Sequence, residues 1–335
     1  MSLKFKLWTP VLLAATTLFV GTTQASLLPF QTFIGNYGVS SDGFGSTSNS
    51  GNISAEVPAG ATVKAAYLYS ATFGSSATLG TVTLGGTAIS TWDQEYINPI
   101  PPSQPNFFRT GRKDVTSIVA PVINGGLGGI YNFSIAESLG DTDGESLIVV
   151  YELASLPEST VAILDGGAAL GGDSTAMNFS APLDTTDPAF FAEMRLGISF
   201  SCCSQKSNVT VNGLTLTNNA GNNDDGAQVA NGSLLTMGGF DDDLLNPNDY
   251  TNDDERYNLA PFIANGDTSI NIFTNNPSND DNIFVAVFHA KGKAGINEPP
   301  PTTGVPEPSM LSMLGLGIVL LVAGNRLARR TSVMS

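Results

Sequence analysis

The sequence predicts an all-β protein built as two tandem jelly-roll-like β-sandwiches. Three observations carry that prediction. Between residues 30 and 293, short apolar runs are broken at regular intervals by Gly, Asn, Asp and Pro, the pattern of many short strands joined by turns. No segment there sustains a 3.6-residue period. The two halves also repeat one another in order.

Residues 1–25 read as a secretory leader. Lys4 and Lys6 give the positive start, Leu7 to Val20 the apolar stretch, and Thr23-Gln24-Ala25 the small residues before a cut. The mature chain is expected to begin near Ser26. Val63 to Tyr69 is a strand candidate, and Ser146 to Leu153 and Ile283 to Ala290 are near-continuous apolar runs, as for strands covered on both faces.

The repeat is read from four pairs of segments. Lys64 to Ser70 parallels Arg195 to Ser201, and Thr81 to Gly86 parallels Asn208 to Gly213. Asp114 to Val119 parallels Asn258 to Ile263, and Tyr131 to Ala136 parallels Ser269 to Phe273. Asp114 and Asn258 each suit the start of one short helical turn, because their side chains accept from free backbone N–H groups. An acidic turn then leads into the last apolar strand of each half. The expected division is a first sandwich over 26–155, a second over 156–293, a Pro-rich linker over 294–309, an apolar helix over 310–324 and a basic tail over 325–335.

Composition excludes one class of partner. Charged residues are 13% of the 335, and the formal net charge is −16. Five of the fourteen cations lie in the two termini, which carry no acid. Without them 30 acids face 9 bases, a net of −21. Nucleic acid is repelled by such a surface, since its binding needs clustered Lys and Arg.

The C-terminus is the most specific part. Pro299, Pro300 and Pro301 stiffen a linker. Val305-Pro306-Glu307-Pro308-Ser309 follows, then the uncharged apolar stretch Met310 to Gly324, then Asn325 to Arg330 with Arg326, Arg329 and Arg330. Fifteen apolar residues approach the roughly 17–25 that span a bilayer. The arginines are expected to stay cytoplasmic. In this order the three parts resemble the PEP-CTERM sorting signal of Gram-negative bacteria. The resemblance covers about the last 30 residues. It implies export through the Sec machinery and signal peptidase, transient retention in the inner membrane, removal of the tail by an exosortase, and delivery to the cell surface or extracellular matrix.

Catalytic groups are scarce in the sequence. The one histidine, His289, sits in an apolar strand and reads as structural. Gly172-Asp173-Ser174 has the look of an esterase nucleophile turn, but Ala286 stands where the partner Asp-x-x-His pair needs its acid. The Gly-rich run Gly125 to Gly129 precedes no helix suited to phosphate.

The acids suggest calcium, which takes six to eight oxygen ligands. Asp241, Asp242, Asp243, Asp249, Asp253, Asp254 and Glu255 crowd one loop, with Asp280 and Asp281 close behind. The alternative is a set of solvated loops that blunt strand edges. Asp141-Thr142-Asp143-Gly144 is the first-half counterpart and is no EF-hand, since Ser146 takes the position that requires Gly.

Cys202 and Cys203 are adjacent and the only cysteines. They have three fates: a strained vicinal disulfide, two reduced thiols, or bridges between chains.

These features lead to the expectation of a structural or adhesive surface protein. A lectin-like carbohydrate-binding module is the alternative, with extracellular polysaccharide as partner and Trp92, Tyr96, Phe107 and Phe108 as a stacking platform. A secreted hydrolase with a pair of carboxylates comes third.

Overall fold

The computed structural model describes residues 26–45, 48–74, 78–98, 107–140, 142–169, 171–199, 206–221, 235–242, 244, 255–277 and 282–299. About 60% of these are strand, in antiparallel sheets, with one short α-helix. The leader 1–25, both cysteines and everything from residue 300 lie outside the described residues. Among the described residues, no helix is long and apolar enough to cross a membrane.

Among the described residues, twenty strands form four sheets. In the first half these are β1 (Leu28–Gly35), β2 (Tyr37–Phe44), β3 (Ser50–Val57), β4 (Thr62–Gly74), β5 (Val82–Leu84), β6 (Thr87–Ile89), β7 (Gln94–Asn98), β8 (Phe107–Asp114), β9 (Gly129–Glu137) and β10 (Thr142–Glu152). The second half adds β11 (Ser159–Asp165), β12 (Asp173–Phe179), β13 (Ala192–Ser199), β14 (Ser207–Val211), β15 (Leu214–Ala220), β16 (Leu235–Met237), β17 (Arg256–Asn258), β18 (Ser269–Asn275), β19 (Asn282–Lys291) and β20 (Ala294–Ile296).

We number the sheets by their place in the stack. Sheet I runs β3-β9-β5-β6, and sheet II runs β2-β10-β4-β8-β7. Sheet III runs β1-β11-β19-β13-β16, with β17 also on β13, and sheet IV runs β15-β14-β18-β12-β20. Three apolar cores alternate with these layers. Ile53, Leu68, Leu84, Phe133, Leu147 and Val149 fill the space between sheets I and II. Tyr69, Ile148, Val150, Ile163 and Val285 join sheets II and III. Leu164, Met194, Leu196, Val211, Ile272 and Phe288 join sheets III and IV.

The stack explains the two near-continuous apolar runs. β10 and β19 are interior strands of sheets II and III and meet a core on each face, so their residues are buried at almost every position. Two chain segments cross between the layers. β1 pairs with β11 rather than with any strand of its own half. β20, within the Pro-rich stretch, pairs with β12.

Local chemistry sets the corners. Asp114 Oδ1 accepts from Thr116 N at 2.9 Å and opens helix α1 (Thr116–Ile123). Asn258 Oδ1 accepts from Ala260 N at 3.0 Å and opens a single 3₁₀ turn, Ala260–Phe262. The hairpins β5–β6 and β14–β15 turn through Gly85-Gly86 and Asn212-Gly213, all four residues with positive φ. That backbone matches the twist of the flanking strands, and Gly and Asn tolerate it best.

Candidate functional site

Of the nine acids suspected of binding calcium, three are described: Asp241, Asp242 and Glu255. Asp243, Asp249, Asp253, Asp254, Asp280 and Asp281 lie outside the described residues. Asp242 Oδ2 accepts from the backbone N–H groups of Gly239 and Arg256. Glu255 is fully buried, and its oxygens accept from Gly221 N and Tyr257 Oη, each at 2.6 Å. Asp242 thus joins the residue after Gly238 to the start of β17, and Glu255 joins the end of β15 to β17. Among the described residues, no group of three or more His, Cys, Asp or Glu is placed to hold a metal ion.

Three of the four suspected platform side chains are described: within the segment that holds them, β7 pairs with β8, and residues 99–106 lie outside the described residues. Trp92 packs against the core between sheets I and II. Tyr96 donates its hydroxyl to Asp165 Oδ1 at 2.8 Å. Phe108 is buried. The Phe107 side chain lies outside the description.

The structure instead gathers charge at opposite ends of the core between sheets II and III. At one end is Asp165, at the close of β11. It accepts from Arg112 on β8 and from the hydroxyls of Tyr69 and Tyr96. The Phe30 ring lies 3.3 Å from the Arg112 guanidinium carbon, a cation–π contact.

At the other end, Glu193 Oε2 accepts from Arg195 Nη2 and, in a two-pronged grip, from Arg256 Nε and Nη2. Arg195 is buried, and its Nε and Nη1 have no acceptor among the described residues. Burial lowers its pKa to about 10.

His289 lies beside this group. Its Nε2 is 3.2 Å from the Tyr37 carbonyl, which only accepts, so Nε2 carries the hydrogen. Burial, then the Arg195 charge, lowers its pKa to about 4, so the ring is neutral. Asp173, in the suspected esterase motif, accepts from Ser26 Oγ and Ala169 N. It anchors the first described residue.

The least orthodox group lies at the end of the first core. Glu137 closes β9 in sheet I, on the face of Phe133 and Ile135. Glu145 lies on β10 in sheet II, on the face of Leu147 and Val149. Both therefore face the space between the sheets from opposite sides, and each influences the other's ionisation.

Glu145 is fully buried, and Ser70 Oγ donates to its Oε1 at 3.0 Å. Glu145 Oε2 and Glu137 Oε1 are buried with no hydrogen-bond partner among the described residues. Two buried carboxylates facing one another disfavour ionisation of both, and a proton on one lets it donate to the other. Burial raises the pKa of Glu137 to about 7. Burial, then the Glu137 charge, raises that of Glu145 well above the ordinary value.

The sequence held faint signals of these residues: Arg195 inside an apolar strand, and Glu145 at the entry to one. Arg112 and Arg256, 53 and 63 positions from the carboxylates they meet, left none. No family model matches the chain, and no curated protein or solved structure matches it.

Proposed function

We propose that the chain is an exported structural or adhesive protein of the cell surface or extracellular matrix, sorted through its C-terminal tail. The observation that carries this reading is the ordered trio of Val305-Pro306-Glu307-Pro308-Ser309, the apolar stretch 310–324 and the arginines 326, 329 and 330. In this reading signal peptidase releases the chain at Ser26, and an exosortase removes the tail after transient residence in the inner membrane.

The ectodomain is then two tandem jelly-roll-like sandwiches. Matching strand orders support the duplication. β2-β10-β4-β8 corresponds to β11-β19-β13-β17, and β3-β9-β5-β6 corresponds to β12-β18-β14-β15. Corner chemistry agrees as well: Val115 N donates to Ala66 O and Leu259 N to Ala192 O, both at 2.8 Å. A rigid, acidic stack with its aromatics turned inward suits a scaffold better than a sugar platform.

The test is intact-mass analysis of protein released from the cell surface. The expected species begins at Ser26 and ends before Met310. Released protein that retains Ser335 would refute the sorting claim.

A further inference from the structure

The contact between Glu137 and Glu145 joins one sheet to another at an open end of the first core. β9 and β10 are consecutive strands in different sheets, so their connection turns a corner between layers. The pair closes that corner from inside, next to Phe44 on β2 and Ser70 on β4. We propose that Glu137 and Glu145 form a proton-operated latch: while protonated, one carboxyl donates to the other and holds β9 to β10, and loss of protons from the pair weakens that end of the first core.

The physical basis is the low dielectric of the site. A single proton converts two facing acceptors into an O–H···O bond. Without it, two like charges face each other where burial of Glu145 limits screening by water.

Other ionisable groups near this core are few. β2 presents Asp42, β3 Glu56, β7 Glu95, β8 Arg109 and Lys113, and β10 Asp143; on β4 and β5 the facing residues are uncharged. None of these acts on the latch. The one charge that shifts Glu145 is that of Glu137, and besides burial the one influence on Glu137 is Glu145.

The sign follows from the raised pKa values. The stabilisation is fully present below the unfolded value near 4.5 and is lost as pH rises towards 7 and beyond. Retaining one extra proton in the folded state makes the unfolding equilibrium constant rise about tenfold per pH unit across that window.

The test uses the exported protein, in which Trp92 becomes the sole tryptophan once the leader is removed. Denaturant unfolding is followed from pH 4.5 to 8 by Trp92 fluorescence. It compares the wild type with Glu145→Gln, whose amide donates the hydrogen bond without a titrating proton. Wild type is expected to lose stability across the window by about tenfold per pH unit relative to the variant. Glu137→Gln, at a half-exposed position, gives the same comparison if Glu145→Gln does not fold. Equal pH slopes in wild type and variant would overturn the latch. So would Ca²⁺ restoring wild-type stability at pH 8 with no effect on the variant, because the pair would then be a cation site.

Discussion

Replacing Asp165 with Ala tests whether sheets II and III are held by charge as well as by apolar contact. Asp165 is 2% exposed and belongs to sheet III, whereas its three donors, Arg112, Tyr69 and Tyr96, belong to sheet II. The truncation leaves the Arg112 side chain, only 12% exposed, without its carboxylate. Breaking a buried pair by removing one partner costs about 3–5 kcal/mol. Each orphaned phenol adds up to about 1–3 kcal/mol, but all three donors share one acceptor, so the losses overlap. The Phe30 face still receives the guanidinium, which keeps the total near the range for the pair alone. We expect a loss of about 3–5 kcal/mol in urea unfolding. For domains of this size that lowers Tm by roughly 6–20 °C. The double variant Asp165→Ala/Arg112→Met should cost less than the sum of its single changes. A single-variant loss below about 1 kcal/mol, or strict additivity, would refute the clamp.

The turn glycines offer a matched pair. Gly86 and Gly213 have φ of 82° and 78°, and an added Cβ at either meets nothing within 4 Å. Gly86→Ala and Gly213→Ala should each cost about 1–2 kcal/mol from backbone strain alone; a neutral result at either in chemical denaturation contradicts its turn geometry. His289 governs an opposite pH effect. Its folded pKa lies near 4, so the stability it contributes is present above the unfolded value near 6.5 and is lost as pH falls towards 4. His289→Gln should flatten that acid limb by one proton, as read by unfolding at several pH values; an unchanged limb would show that the ring is not buried neutral. The mass of the released protein and the pH response of the Glu145→Gln variant complete the set.

What the sequence determined by itself was local. Apolar runs and breakers marked strands such as β4, β10, β13 and β19, because strand period and turn chemistry act over a few residues. Asp114 and Asn258 announced their corners because their hydrogen bonds reach only two positions along the chain. The all-β class and the doubly covered strands at 146–153 and 283–290 followed from the same short-range pattern.

The tertiary structure alone decided which charges matter. Asp165 finds Arg112 across 53 residues, and Glu193 finds Arg256 across 63, because sheets stack and bring distant strands face to face. Glu145 and Asp241 are both acids beside glycine-rich turns, yet one is sealed inside a core and the other faces solvent. A strand's sequence states which residues share a face. It does not state what layer covers that face, and the covering layer sets the dielectric, the partner and the proton.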